Sequence, residues 1–353
     1  MVAFKNFLAK KDIVISGKRY GIDALSAMAQ GLFASLLIGT ILCTIGDLTS
    51  LSFFNTAGTY AKGIAGPAMA VAIAYALHAP SLVLFSMLAV GNAANALGGA
   101  GGPLAVLFIA IVAAEVGKAV SGETKVDIIV TPFITITVGV VLSIFFAPPI
   151  GKLASSLGSL IMLATELQPF LMGILVSVLV GIALTLPISS AAICAALGLT
   201  GLAGGAAVAG CCAQMIGFAA ISFKENRWGG LISQGLGTSM LQMSNIVRNP
   251  RIWLAPTLAS AITGPIATCI FRLQMNGPAI SSGMGTCGLV GQIGIYTGWI
   301  SDISNGSKVA ITSFDWLGLI LICFVLPAVF SLVFDKFFRH IGWVKDGDMK
   351  LDL

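Results

Sequence analysis

The stretch that decides the fold is Gln168-Pro-Phe-Leu-Met-Gly-Ile-Leu-Val-Ser-Val-Leu-Val-Gly-Ile-Ala-Leu-Thr-Leu-Pro187, which contains no charged residue. About 20 apolar residues in a helix are enough to cross the hydrocarbon core of a bilayer. Further long apolar runs occur at residues 24–45, 58–78, 81–98, 103–121, 128–147, 252–271 and 316–334. This pattern predicts a chain that crosses a membrane many times as helices.

The composition of the whole chain supports the same interpretation. Of its 353 residues, 57% are hydrophobic and only 9% are charged, whereas about 25% of the residues in a soluble domain are charged. We therefore expect an all-α polytopic membrane protein with about eight to ten transmembrane segments. The net charge of +5 lies mostly near the two ends, which indicates topology and contact with anionic lipids, and does not indicate nucleic acid as a partner.

Basic residues both precede the first apolar run and follow the last one. The positive-inside rule therefore predicts a multi-pass membrane protein with both termini in the cytoplasm. The expected organisation is a basic, cytoplasmic N-terminal segment at 1–21, a single transmembrane domain at 22–335 and a cytoplasmic C-terminal segment at 336–353.

Two glycine-rich apolar segments, near 191–222 and 276–300, are interrupted and do not read as simple spans. A single crossing by 191–222 would place the basic residues that follow it on the wrong side of the membrane. That segment is therefore expected to be a re-entrant hairpin broken between Gly198 and Gly210, or two short crossings. We expect 276–300 to enter and return on one side. Broken segments of this kind indicate the binding site of a transporter.

Uncharged hydrogen-bonding residues between the apolar runs are the candidates for that site, because an unpaired polar group is costly in hydrocarbon. Amides and hydroxyls can each meet the hydroxyls of a sugar or polyol better than they meet a cation, and glycines let the backbone approach a ligand. The candidate substrate-binding residues are Asn92, Asn95, Gln214, Thr238, Ser239, Gln242, Asn245, Ser282, Gly283, Gly285, Thr286 and Gln292. The alternatives are interhelical hydrogen bonding for the two asparagines near 92–95 and plain packing for the glycine-rich hairpin.

The sequence has no phosphate-binding loop, no Ser-His-Asp signature and no Cys/His cluster at metal-ligand spacing. No catalytic residue, metal or cofactor is expected from the sequence, and whether the chain takes part in an enzymatic reaction stays open.

Four motifs together resemble the EIIC-like family of the bacterial phosphotransferase system, which includes proteins described as regulators of perfringolysin production. They are Ile221-Ser-Phe-Lys-Glu-Asn226, Gly237-Thr-Ser-Met-Leu-Gln242, Asn245-Ile-Val-Arg-Asn-Pro-Arg-Ile252 and Ser282-Gly-Met-Gly-Thr-Cys-Gly-Leu-Val-Gly-Gln292. The similarity extends over about residues 20 to 335. It implies an inner-membrane sugar permease, often a homodimer, served by IIA and IIB phosphocarrier proteins.

The chain departs from the wider system in two respects. It contains no hydrophilic IIA or IIB domain, so any phosphate relay needs separate proteins, and it lacks the Gly-Ile-Thr-Glu motif of the glucose-type permeases. The leading hypothesis is a permease for a small polar solute that works by alternating access. The alternatives are a membrane sensor that binds a solute or partner without transport, and vectorial phosphotransfer with separate IIA and IIB proteins.

Overall fold

The computed structural model describes residues 7–351. The chain is 82% helical, and no β-strand forms within the described part. This confirms an all-α polytopic membrane protein. Among residues 7–351, six helical stretches are long and apolar enough to cross a bilayer, and two shorter apolar helices accompany them.

The helices used below are numbered in chain order. They are α1 (Arg19–Asp47), α2 (Ser52–Gly63), α3 (Ala65–Ala76), α4 (Ser81–Gly98), α5 (Gly102–Val120), α6 (Asp127–Thr165), α7 (Pro169–Thr185), α8 (Ser190–Ala196), α9 (Gly201–Ile221), α10 (Phe223–Ile232), α11 (Met243–Arg248), α12 (Pro250–Ile270), α13 (Val290–Ser304) and α14 (Ser313–His340). The chain divides into two compact units, residues 7–46 with 50–153, and residues 47–49 with 154–351.

The first unit is held together by small residues at close helix contacts. A Cβ atom added to Gly66 of α3 would lie 2.4 Å from the carbonyl oxygen of Gly91 on α4, and one added to Gly91 would lie 2.3 Å from the carbonyl oxygen of Gly66. Only glycine lets the two backbones approach this closely. The glycine turn Gly99–Gly101 then folds α5 back against α4.

A polar contact closes one end of the same unit. The Asp12 carboxylate accepts hydrogen bonds from Arg19, at 2.6 Å, and from His78, at 3.0 Å. The bond from Arg19, aided by that from His78, holds the pKa of Asp12 well below its usual value. The segment before α1 is thereby tied to the turn between α3 and α4.

The second unit is built around α9, which is buried continuously from Gly204 to Met215. It packs against α7, α12 and α14. Close approach again depends on glycine, because a Cβ atom at Gly210 would lie 1.9 Å from the carbonyl oxygen of Ser177 on α7. The centre of this unit is therefore a helix with no face left for solvent.

The two glycine-rich segments are broken, as expected. The first break covers fewer residues than the predicted range from Gly198 to Gly210. Helix α8 ends at Ala196, Gly198 adopts a φ of +59°, and α9 begins at Gly201. From there the helix runs unbroken through Gly210, because its neighbours enclose those glycines and favour close packing over a turn. The second segment consists of short 3₁₀ turns, Ala279–Gly283 and Cys287–Leu289, before α13.

A difference from the sequence pattern concerns α6. The apolar run 128–147 and the mixed segment 149–165 look like separate elements, yet α6 continues through Pro148 and Pro149 for 39 residues. A proline removes only its own N–H donor and kinks a helix without necessarily ending it. At about 1.5 Å per residue, α6 is longer than the hydrocarbon core is thick.

Candidate functional site

The centre of the candidate site is Gln214 on α9, whose side chain is fully buried. Its amide oxygen accepts hydrogen bonds from the Trp253 indole nitrogen, at 2.9 Å, and the Thr185 hydroxyl, at 3.3 Å. Its amide nitrogen donates to the Thr257 hydroxyl at 3.2 Å. The Thr185 and Ser239 hydroxyls lie 2.8 Å apart. We call these five residues the glutamine cluster; they join α7, α9, α12 and the polar segment after α10.

That polar segment is not a regular helix. After α10 the chain forms a π-turn at Ser233–Gly237, becomes extended at Thr238 and continues as a 3₁₀ turn over Ser239–Gln242. The Thr238 hydroxyl accepts a hydrogen bond from the Met240 amide at 3.1 Å, which satisfies one backbone donor at the start of the turn. The irregular backbone brings Ser239 into the interior of the unit, where it is fully buried.

The glycine-rich hairpin, residues 279–289, packs against α8 and the break between α8 and α9. The Ser282 hydroxyl donates to the Leu199 carbonyl at 2.6 Å, and the Gly283 carbonyl accepts from the Ser190 hydroxyl at 2.7 Å. A Cβ atom at Gly283 would lie 2.5 Å from the Ser190 carbonyl oxygen. Ser282 and Gly283 therefore pack against the protein itself. Packing was the alternative to ligand binding that the sequence left open for this hairpin.

Further along the hairpin, Gly285 adopts a φ of +53° and lies against Cys211 of α9. The Thr286 hydroxyl approaches the Met215 sulfur at 3.5 Å. The Gln292 amide nitrogen donates to the Cys212 sulfur at 3.3 Å. The hairpin and the glutamine cluster therefore contact the same part of α9, between Cys211 and Met215.

Gln292 differs from the other buried amides because its oxygen has no hydrogen-bond partner in the described structure. A buried acceptor without a donor costs about 1–3 kcal/mol relative to one that is paired. Such a group marks a place where a ligand hydroxyl or a water molecule can bind.

Gln242 and Asn245 are occupied by the protein itself. The Gln242 amide nitrogen donates to the Met349 carbonyl, and the Asn245 amide nitrogen donates to the Lys350 carbonyl, each at 2.9 Å. The Gln242 oxygen also accepts from Asn245, and Gln242 in turn donates to Gln234. In this conformation these amides bind the end of the chain, and a role for them in solute binding stays a prediction that requires the tail to leave.

Two further residues fix the same part of the chain, which we call the C-terminal tail (residues 343–351). Asn226 donates to the Met349 carbonyl at 2.8 Å and accepts from the Leu351 amide at 2.8 Å. A Glu225 oxygen accepts from the Met349 amide at 2.9 Å. The Met349 side chain is fully buried against Phe218 and its neighbours.

Asn92 and Asn95 lie in the first unit, on successive turns of α4, where the sequence placed them. Asn92 is exposed and Asn95 is half-buried. Asn95 is close to the α4–α5 turn, since a Cβ atom at Gly102 would lie 2.5 Å from its side-chain oxygen. Their part in a binding site remains a prediction.

Three members of the glutamine cluster, Thr185, Trp253 and Thr257, were not among the residues predicted from the sequence. They are scattered among apolar residues of α7 and α12, where an isolated hydroxyl or indole is a weak signal. The sequence does indicate that such partners exist, because a buried Gln214 needs a donor for its amide oxygen and an acceptor for its amide nitrogen. Only the packing of helices far apart in sequence shows which residues supply them.

Together these observations define a polytopic membrane protein with neutral polar groups buried in one of its two units. A family model described as "Phosphotransferase system, EIIC" matches residues 22–351. The chain belongs to this family and is an EIIC-type membrane component, which confirms the resemblance drawn from its motifs. No curated protein and no solved structure gives a significant match.

Proposed function

We propose that the protein is a permease that carries a small polar solute, a sugar or sugar derivative, across the bacterial inner membrane by alternating access. Membership of the EIIC family supports a sugar-like substrate with separate IIA and IIB partners. The observation that carries the proposal is the unpartnered Gln292 oxygen, held by a broken segment against the middle of a buried helix. Transporters bind their substrates where helices are interrupted in this way.

The chemistry of the surrounding groups suits a neutral, hydroxylated solute. The glutamine cluster consists of amide, hydroxyl and indole groups, each of which can exchange a partner in the protein for a hydroxyl of the solute. A ligand that donates a hydrogen bond to Gln292 removes the cost of its buried acceptor. In the structure the cluster satisfies itself, so solute entry requires the irregular segments before Met243 and before α13 to move.

The structure also contains a feature that fits a change of access at one end of the unit. The C-terminal tail closes the polar segment around Gln242 and Asn245 through its own carbonyl groups. We propose that both termini are cytoplasmic, that this end faces the cytoplasm, and that the protein works as a homodimer. Release of the tail would then open a polar path from the cytoplasm.

Reconstitution into proteoliposomes tests this function. Labelled sugars, polyols and sugar acids are offered to vesicles that contain the purified protein alone. We expect saturable entry of at least one unmodified solute, with empty vesicles as the control. A solute that binds the protein without entering would favour a sensor. Entry only as a phosphorylated product, and only after IIA and IIB proteins are added, would favour vectorial phosphotransfer.

A further inference from the structure

A second polar region lies in the same unit, where the chain leaves α12. The segment Arg272–Asn276 is tied to the start of α9 by paired backbone hydrogen bonds between Gly201 and Met275, at 3.0 and 2.9 Å. In extended backbone, successive side chains point to opposite sides. Leu273 and Met275 are buried in the apolar core. Gln274 and Asn276 lie on the opposite side, and Arg272 precedes this extended stretch at a positive φ.

These three side chains line a cavity of about 420 Å³. Across it lie Asp302 of α13, Lys308 and Asp315. Arg272 and Gln274 also line an adjoining cavity of about 500 Å³. We call the first of these the arginine cavity; its volume lies within the range of small-molecule sites.

Most of the charges around the arginine cavity are already paired. Lys308 forms an ion pair with Asp315 at 2.7 Å and lies over the Trp299 ring. Asp302 accepts a hydrogen bond from the Asn276 amide at 2.8 Å. The charge of Lys308 is thus neutralised by Asp315. Asp302 keeps its second carboxylate oxygen for a ligand hydroxyl.

Arg272 is different, because its guanidinium forms no hydrogen bond or ion pair with any residue in the described range 7–351. Its backbone is held at a φ of +47°, a conformation that costs a side-chain-bearing residue about 1 kcal/mol or more. Beside it, Gln274 accepts from Asn276 at 3.2 Å, while its amide nitrogen donates to no other described residue. The cavity therefore offers unused donors on Arg272 and Gln274 and a carboxylate acceptor on Asp302.

We propose that the arginine cavity binds a sugar acid, with the carboxylate of the ligand on Arg272 and its hydroxyls on Gln274, Asn276 and Asp302. A guanidinium holds a carboxylate through two parallel hydrogen bonds, and amides and carboxylates pair with hydroxyls. The inference rests on the proposed function in one respect, since it takes the ligand to be a solute that the permease carries. It adds a charge requirement that the glutamine cluster does not impose.

Equilibrium binding to the purified protein in an uncharged detergent tests the site without any need for transport. The probes are D-glucuronate, D-glucose and inorganic phosphate, measured by isothermal titration calorimetry. We expect glucuronate to bind at least about tenfold more tightly than glucose, because only glucuronate forms charge-assisted bonds. We expect Arg272→Gln to remove that preference and Arg272→Lys to keep part of it, because lysine retains the charge without the two-pronged geometry.

Arg227→Gln is the matched control. Arg227 is also exposed and also has a positive φ, of 52°, but it lies outside the cavity. Loss of the glucuronate preference in Arg272→Gln and not in Arg227→Gln supports the proposal. Equal affinities for glucuronate and glucose, or equal effects of the two substitutions, would overturn it.

A second arm separates a soluble ligand from a lipid headgroup, which carries similar oxyanion chemistry. The same titration is repeated in nanodiscs of phosphatidylcholine with and without phosphatidylglycerol. Glucuronate binding that persists in both supports a solute site; its abolition by phosphatidylglycerol would show that Arg272 holds a lipid and would overturn the proposal. Glucuronate flux that is unchanged in Arg272→Gln would overturn the arginine site but support the permease function. Arg272-dependent glucuronate binding without flux of any solute would support the site and overturn the permease function.

Discussion

Two buried glutamines on facing elements have opposite hydrogen-bond states. Gln214 has partners at both ends of its amide, whereas the oxygen of Gln292 has none. A protein selected for stability alone gains from replacing an unsatisfied buried acceptor with an apolar group. The unsatisfied oxygen of Gln292 is the observation on which its proposed role in ligand binding rests.

This contrast predicts different responses to the same substitution. Gln292→Met removes an unpaired acceptor and keeps the length of the side chain, so the free energy of unfolding should stay unchanged or rise by up to about 1 kcal/mol. Gln214→Met leaves the Trp253 indole N–H without its acceptor and should cost about 1–3 kcal/mol. Thermal unfolding of the purified variants measures both; a larger loss for Gln292→Met would mean that its oxygen is satisfied in the membrane.

At this scale, the sequence identified buried amides by residue type but could not assign their partners. Gln214 and Gln292 stand out as polar residues in apolar segments. Besides their near neighbours, Gln242 and Asn245 bind carbonyl groups that lie 107 and 105 residues away, in the C-terminal tail. The residues around Gln242 and Asn245 give no sign that the C-terminal tail packs against them. Polar residues that looked like a ligand site therefore proved to bind the chain's own backbone.

Among the elements, α9 depends on glycine where it meets α7. The Gly210 Cβ position lies 1.9 Å from a backbone oxygen, while that of Gly158 in α6 is 3.4 Å from the nearest side-chain atom. Gly210→Ala should therefore destabilise the protein by about 1–3 kcal/mol or more through forced separation of the helices. Gly158→Ala should be neutral or stabilise it by up to about 1 kcal/mol, because alanine is the better helix former. Thermal unfolding of the two variants decides; similar shifts would contradict the close α7–α9 contact.

The C-terminal tail is a second element whose docking can be measured. Met349 is fully buried and its neighbour Lys350 is exposed, although the backbone of both accepts hydrogen bonds. Met349→Ala should weaken docking by about 2 kcal/mol or more, since a large buried side chain is lost. The expected result is faster cleavage by trypsin after Lys345.

Lys350→Ala is the control for that experiment, because it removes a solvated side chain and leaves the backbone contacts in place. Its cleavage after Lys345 should match that of the unmodified protein. If Met349→Ala were equally resistant, the tail would not be held by the packing that the structure shows.

For elements, the sequence predicted the class of structure better than the number or the boundaries of the spans: eight to ten were expected, whereas six stretches of residues 7–351 are long and apolar enough, with two shorter apolar helices. Apolar runs and charge located the spans and the two broken segments. The exact break at Gly198 and the continuity of α6 through Pro148 and Pro149 depend on which neighbours enclose each glycine or proline. That information belongs to tertiary packing and is absent from hydropathy.

For the molecule, the second unit places its polar groups in three regions along one set of helices. The C-terminal tail lies near the start of α12 and the end of α14, and the arginine cavity lies near the end of α12 and the start of α14. The glutamine cluster lies on α9 between them. A helix of 21 residues such as α12 is about 32 Å long, enough to span the hydrocarbon core. This order fits the proposed solute path with an opening at each end.

The central claim, that a solute passes by way of Gln292, is tested most directly by flux of an identified solute into proteoliposomes containing either the unmodified protein or Gln292→Met. The account predicts saturable entry with the unmodified protein and at least a tenfold loss with Gln292→Met at undiminished thermal stability, because a lost ligand hydrogen bond is worth about 1.4 kcal/mol or more in the bound state. Equal flux in the two preparations would contradict the assignment of Gln292 to the solute path, and solute binding without flux in the unmodified protein would contradict transport itself.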